Sequence, residues 1–297
     1  MKINYAKLPT ERSNPTSSTL DRMSVFAILH LMNREDEKIS RAVKREIPRI
    51  EKAVQIITRS FKKGGKIFFA GAGTSGRLGV LESAELPPTF GTPPSLARAL
   101  MAGGRKAVFR SQEGAEDRGE EAQREIKNKT RPGDVVIGIA ASGITPFTQA
   151  ALSQARRMGA KTIFITCNGA GTQKKLADIT IALRVGPEII AGSTRLKSGT
   201  ATKLVLNMLT TCAMIQIGKV YGNRMVDLEP RSRKLVERGI RLVRELTDLT
   251  RPKTEKIFWQ SGGRVKTAVV MAHRGLNRSQ AREALKAADG FLRRALE

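Results

Sequence analysis

The residues best suited to chemistry cluster at glycine-rich turns. Gly71, Gly73 and Gly76 let a backbone turn tightly and approach a ligand closely, and Thr74 and Ser75 place two hydroxyls in the same turn. The stretch that follows, Arg77 to Glu85, has helical character, so the turn opens a helix whose first N–H groups can hold an anion. Glu82 and Glu85, three apart, share one face of that helix. Pro87-Pro88 are expected to stop it. One segment thus offers a phosphate cradle and, about two turns further on, a carboxylate. A second turn of the same kind, Ala141-Ser142-Gly143-Ile144-Thr145-Pro146, follows an apolar run and opens a Pro-initiated helix. Ser142 or Thr145 could serve there as an ordinary helix cap, but two such loops after two strands favour a shared anion site. A third hydroxyl cluster, Gly192-Ser193-Thr194-Arg195 with Lys197, could add donors and positive charge.

The remaining carboxylates of interest are Glu113 and Glu116-Asp117, at a loop-to-helix boundary. Acidic residues there suit the helix dipole. Alternatively, Glu116 pairs with Glu85 as two acid/base groups around one bound sugar phosphate, and spacing does not choose between the two. Gly71, Gly73 and Gly76 also spell the dinucleotide fingerprint, which needs an acidic residue about 20 positions later. No Asp or Glu occurs between Glu85 and Glu113, which argues against it. No Gly-Lys-Ser/Thr closes the turn, so a Walker loop is excluded.

The elements that must position these residues alternate. After an irregular start, helices are expected over Leu20–Asn33 and Glu35–Lys63, the second kinked or divided at Pro48. Strands then follow at Lys66–Ala70, Leu96–Met101 (a short apolar stretch, strand or edge), Asp134–Ala140, Thr162–Cys167 and Ile179–Leu183. Between them lie helices at Arg77–Glu85, Ala115–Lys127 and Pro146–Met158, and a long helix over Thr194–Val220 closes the series. This is an α/β class, a doubly wound parallel sheet flanked by helices, in which ligands bind at the carboxyl ends of strands. Beyond it, Ser232–Leu246 and Ser279–Leu296 read as helices and Lys266–Met271 as a helix or lone strand. The division that results is an N-terminal helical arm over residues 1–50, a sheet domain over 51–227 and a basic helical domain over 228–297.

Composition narrows the partners. The 297 residues carry a formal net charge of +26, and from Pro230 to Glu297 there are 17 Lys/Arg against 7 Asp/Glu, so the last segment is the most basic. No compact basic block occurs and aromatic residues are only 4%, which leaves little for base stacking. Specific nucleic-acid binding is therefore not expected, whereas non-specific adhesion at low salt is, and a positive field also draws in small anions. Cys167 and Cys212 form no disulfide framework, are expected to be small buried residues, and suggest a reducing compartment. His30 and His273 are too few for a metal cluster. No apolar segment reaches the roughly 20 residues of a membrane span, nor does the start read as a signal peptide, so a soluble cytoplasmic protein is expected.

Five stretches, GAGTSGRLGVLESAELPPTFG (71–91), QEGAED (112–117), VVIGIAASGITPF (135–147), VGPEIIAGSTRLKSGTATKLVLNML (185–209) and GKVYGNRMVD (218–227), together resemble the N-acetylmuramic acid 6-phosphate etherase family. The segments SNPTSSTLDRMS and NREDEK fit as well, so the resemblance runs from about residue 10 to about residue 227. It implies a sugar isomerase (SIS) domain and a lyase of peptidoglycan recycling that removes the D-lactyl ether from C3 of N-acetylmuramate 6-phosphate. The implied products are N-acetylglucosamine 6-phosphate and D-lactate, formed by elimination from the open-chain aldehyde and addition of water, with no metal or organic cofactor. The family's acid falls on Glu85, protonating the departing oxygen, and its base on Glu116, removing the C2 proton. Phosphate would be held by Thr74, Ser75, Ser142 and Thr145. Ser193, Thr194 and Lys197 are further candidates for substrate contact. The resemblance also implies a homodimer with sites near its interface.

Three departures stand out: Ile144 and Phe147 replace the usual Arg and Tyr of the second loop, Asn168-Gly169 replaces Asn-Pro, and the charge is high. A different class of reading is a non-catalytic sugar-phosphate sensor like the related vertebrate glucokinase regulatory protein. Both carboxylates and the room for a single SIS domain favour the enzyme. A sugar-phosphate isomerase would need the same cradle but would release no lactate.

Overall fold

The computed structural model describes residues 8–169 and 176–297. It divides into two compact units: residues up to Ser83 with Ser95–Thr210, and Ala84–Pro94 with Thr211–Glu297. Two of the three divisions fall inside helices and the third, at Pro94, in a loop, and the long N-terminal helix belongs to the first unit.

The first unit is built on a parallel five-stranded sheet with strand order β2-β1-β3-β4-β5, where β1 is Ile67–Gly71, β2 Ala97–Met101, β3 Val135–Ile139, β4 Lys161–Thr166 and β5 Ile179–Ala182. Every residue of β1 and β3 is buried, as expected of unbroken apolar strands covered on both faces. On one face Phe68, Val136 and Phe164 pack with Ala122 and Ile126 of α4 (Gly119–Lys129) and with Ala151, Leu152 and Ala155 of α5 (Pro146–Arg157).

The opposite face carries Phe69 and Ile139. There the backbone of α2 (Gly73–Phe90) comes so close that a Cβ on Gly79 would lie 2.7 Å from the Cβ of Phe69. A short helix, α3 (Gly104–Phe109), follows β2 and was not foreseen from the sequence. The expected helix over Ala115–Lys127 is a 3-10 turn, Ala115–Asp117, followed by α4.

One helix, α1 (Val25–Lys62), replaces the two expected before β1. Ser24 caps it, its Oγ accepting from the Ala27 N–H at 3.3 Å, and no breaker separates Asn33 from Glu35. The buried stripe Leu31, Glu35, Ile39, Val43, Ile50, Val54 and Ile57 runs straight through. Pro48 removes a single backbone donor, and Pro48 and Lys44 are both exposed, so water can satisfy the carbonyl left over.

Pro87-Pro88 likewise fail to stop α2, which runs on to Phe90. Leu86 and Phe90, four apart, are both buried and hold the last turn in place. The long apolar helix is α6 (Lys197–Gln216), shorter at both ends than expected.

The second unit holds a hairpin of β6 (Val220–Tyr221) with β7 (Arg224–Met225) and the helices α7 (Arg233–Thr247), α8 (Arg251–Gln260), α9 (Val265–Arg274), α10 (Arg278–Ala287) and α11 (Leu292–Leu296). Its own core gathers Val226, Ile240, Val243, Phe258, Val265, Val269, Ala281 and Leu292. Ser232 caps α7, and Asn277 with Gln280 forms a capping box on α10. The expected helix Ser279–Leu296 is broken between α10 and α11, where Asp289 (φ 53°) and Gly290 (φ 78°) take left-handed conformations. Among the described residues no helix is long and apolar enough to cross a membrane.

Candidate functional site

Strand β1 is the point at which the sheet changes direction. The chain leaves it to form β2 on one side and returns to form β3 on the other. Such a switch opens a crevice at the carboxyl ends of the strands. The register brings those ends level: Gly71 at the end of β1 pairs with both Met101 and Ile139. A cavity of about 330 Å³ lies there, formed entirely by the first unit.

One wall is the start of α2. The helix begins at Gly73, so Thr74 and Ser75 lie in its first turn rather than in a preceding loop. Its first helical hydrogen bond runs from the Gly76 N–H to the Ala72 carbonyl at 3.2 Å. The N–H groups of Gly73, Thr74 and Ser75 therefore belong to the donors a helix start leaves without an intrahelical acceptor. The glycines divide the labour. Gly73 has φ +54°, whereas a Cβ on Gly76 would sit 2.5 Å from the Gly71 carbonyl oxygen and 2.4 Å from Met101 Sδ. Thr74 and Ser75 both line the cavity.

The facing wall is the loop after β3, and Ser142 and Thr145 line the cavity from it. Thr145 occupies the N-cap position of α5, yet its hydroxyl makes no capping bond. Among the described residues Ser142 Oγ accepts only a long contact, 3.4 Å, from the Ile144 N–H. The loop is fixed from outside instead. Asn168 Nδ2 donates to the Ser142 carbonyl at 3.1 Å, Gln149 Nε2 to the Gly143 carbonyl at 3.0 Å, and the Cys167 N–H to the Ala141 carbonyl at 2.9 Å. Ile144 and Phe147 are not among the lining residues, and Phe147, in the first turn of α5, is buried in the core.

A third side comes from the segment after β2. Arg77 Nε and Nη2 donate to the Val108 and Ala107 carbonyls at 2.9 and 2.8 Å, which ties α3 to α2. Gln112, Ala115 and Glu116 line the cavity from here, and Glu116 is exposed. Among the described residues no cation lies within ion-pair distance of Glu116. Glu82, by contrast, is occupied: it is buried, 2.7 Å from Lys203 Nζ, and accepts from the Thr210 hydroxyl. Glu85 is exposed on α2 and belongs to the second unit. The two proposed acid/base glutamates thus fall in different units.

The third hydroxyl cluster contributes in part. Thr194 lines the cavity, while Ser193 does not and donates its N–H to the Ile190 carbonyl at 3.0 Å. Lys197, expected as a source of positive charge for substrate, is instead 2% exposed with its ammonium on the equally buried Glu35 of α1. Burial alone would raise the Glu35 pKa, but hydrogen bonds and charge from Lys197 and Lys38 outweigh it and hold the carboxyl at about 2. Glu188, also buried, caps α6. Its carboxylate accepts from the N–H groups of Lys197 and Ser198 at 3.0 and 2.9 Å and from the Ser198 hydroxyl at 2.8 Å.

Several lining residues were not anticipated, Ser111 and Glu11 among them. Glu11 reaches the cavity from the N-terminal segment, and no local periodicity or glycine turn marks it. Cys167 is buried and its thiol is pushed up to about 12 by burial, which suits no nucleophile. Cys212 is exposed, contrary to expectation.

The order of strands and the crevice at their carboxyl ends define a doubly wound parallel α/β domain, with hydroxyls around the crevice that suit an anion. The chain matches the SIS domain family over residues 115–212 and the glucokinase regulatory protein N-terminal SIS domain over residues 49–156. It is 49% identical to the N-acetylmuramic acid 6-phosphate etherase of Salinibacter ruber, over 98% of this chain and 94% of that one. It is 46% identical to the etherase of Geobacillus thermodenitrificans (98% and 99%) and 44% identical to that of Vibrio vulnificus (100% and 99%). The chain belongs to the N-acetylmuramic acid 6-phosphate etherase family.

Proposed function

We infer that the protein is a carbon-oxygen lyase that cleaves the D-lactyl ether of N-acetylmuramic acid 6-phosphate, giving N-acetylglucosamine 6-phosphate and D-lactate. The observation that carries this reading is one cavity that joins a helix start and the hydroxyls of Thr74, Ser75, Ser142 and Thr145, suited to a phosphate, with Glu116, which has no ion pair among the described residues and is suited to moving a proton. It stands in a chain 49% identical to an etherase over nearly its whole length. Substrate phosphate binds the first turn of α2 with Thr74 and Ser75, and the hydroxyls of Ser142 and Thr145. Glu116 removes the proton at C2 of the open-chain aldehyde. The resulting anion expels lactate from C3, whose oxygen takes a proton from Glu85, and water then adds across the double bond. That Glu82 is held by Lys203 and Thr210 supports Glu85 as the available acid of the Glu82–Glu85 pair.

The protein works as a homodimer in the cytoplasm. Supporting a second copy, Val25, Phe26 and Leu29 form an apolar patch at the start of α1, 60–74% exposed. D-lactate release from N-acetylmuramate 6-phosphate tests the function. Wild type should release lactate stoichiometrically with N-acetylglucosamine 6-phosphate, and binding without turnover would favour a sensor instead.

A further inference from the structure

We propose that Glu11 is a substrate-positioning residue whose carboxylate accepts hydrogen bonds from the non-phosphate part of the bound sugar. This rests on the sugar-phosphate reading of the cavity.

The chain holds 53 Lys/Arg against 27 Asp/Glu, yet more than half of its carboxylates have no ion pair among the described residues. Glu11 is one: among the described residues no Lys or Arg lies within ion-pair distance of it, and its Oε1 accepts only from the Thr10 hydroxyl, at 3.2 Å. It is also one of two carboxylates lining the cavity, the other being Glu116.

Its placement is fixed. The Gly192 N–H donates to the Thr10 carbonyl at 3.0 Å, and Asn14 Nδ2 donates to the Pro187 carbonyl at 3.2 Å. These bonds fasten the segment around Glu11 to the loop that leads into α6. Glu11 Oε2 lies only 3.1 Å from where a Cβ on Gly192 would stand. The N-terminal segment is therefore a wall of the cavity.

The chemistry of the cavity decides what Glu11 faces. Donors crowd the α2 start and the loop after β3, where a phosphate fits. An ionised carboxylate only accepts, and beside a phosphate it would repel. It suits hydroxyl or amide N–H donors, which a sugar carries away from its phosphate. Since Glu116 is assigned to proton transfer, Glu11 is the acceptor left to orient the ring or open chain.

The test is calorimetric binding of inorganic phosphate, glucose 6-phosphate and N-acetylglucosamine 6-phosphate to the full chain and to its Glu11→Gln variant, alongside steady-state kinetics. The proposal predicts that Glu11→Gln weakens sugar-phosphate binding and lowers kcat/KM by roughly 10- to 100-fold, the worth of a charge-assisted hydrogen bond. Inorganic phosphate binding and the thermal midpoint should stay unchanged. Uniform weakening of all three ligands together with a lowered midpoint would mean that Glu11 only holds the wall, and would overturn the proposal. So would unaltered binding of the sugar phosphates. Sugar-phosphate binding that depends on Glu11 in a wild type that releases no lactate would sustain the proposal while refuting the etherase reading, and a wild type that binds no sugar phosphate refutes both.

Discussion

Replacing Lys197 by Met should destabilise the protein strongly and in a pH-dependent way. Lys197 and Glu35 are each 2% exposed, and removing Lys197 leaves a buried carboxylate with Lys38 and the Thr16 hydroxyl as its remaining partners among the described residues. The Glu35 carboxyl is held at about 2, against an ordinary value of 4.5. At ~1.4 kcal/mol per pH unit, this lowering makes ionised Glu35 contribute about 3 kcal/mol to the folded state at neutral pH. Loss of one partner from a buried pair typically costs about 3–5 kcal/mol, in agreement. Because the folded value is the lower one, the contribution is complete above pH 4.5 and fades as pH falls toward 2. Urea unfolding of wild type and Lys197→Met at several pH values measures the gap between them. The gap should be roughly 3 kcal/mol at pH 7 and less than half that near pH 3. Glu35→Leu combined with Lys197→Met should recover much of the loss, since both charges then leave together. A gap under about 1 kcal/mol at pH 7, or one that does not change with pH, would refute the reasoning.

Four further outcomes follow from the same structure. Glu188→Ala strips two backbone donors and one hydroxyl at the α6 start of their acceptor, and should cost about 2–4 kcal/mol in urea unfolding. Gly76→Ala forces a Cβ against the Gly71 carbonyl and should lower stability by more than about 2 kcal/mol, whereas Gly73→Ala meets open space and costs only its left-handed strain, roughly 1 kcal/mol. Thr145→Val should weaken phosphate binding measured by calorimetry yet shift unfolding by less than about 0.5 kcal/mol, because the hydroxyl caps nothing. In native protein an alkylating reagent should label exposed Cys212 and spare buried Cys167, which mass spectrometry reads directly.

Strand identity was plain in the sequence because runs such as Ile67-Phe68-Phe69-Ala70 and Val135-Val136-Ile137 are buried on both faces and carry no other signal. The hydroxyls of Thr74, Ser75, Ser142 and Thr145 that line the cavity were legible too, since they follow those strands directly. Helix ends were harder. Pro48 and Pro87-Pro88 read as breaks, but a helix tolerates a lost donor where the stripe of buried residues continues through it. The stretch VGPEIIAGSTRLKSG was legible as important but not for what. Lys197 looks like a ligand in one dimension, yet it serves a buried ion pair with Glu35, 162 residues away, while Glu188 of the same stretch serves a buried cap. No spacing rule announces such a pairing. Glu11 was invisible for the same reason: only the bonds from Gly192 and Asn14 bring its segment to the cavity.

The most direct test of the central claim follows C2 hydrogen exchange and lactate release together, with N-acetylmuramate 6-phosphate in deuterated water. Wild type should release D-lactate and leave deuterium at C2 of N-acetylglucosamine 6-phosphate. Glu116→Ala should lose both, and Glu85→Ala should lose lactate release while still exchanging C2. Exchange that survives in Glu116→Ala would contradict the account, because the C2 proton would then have another base.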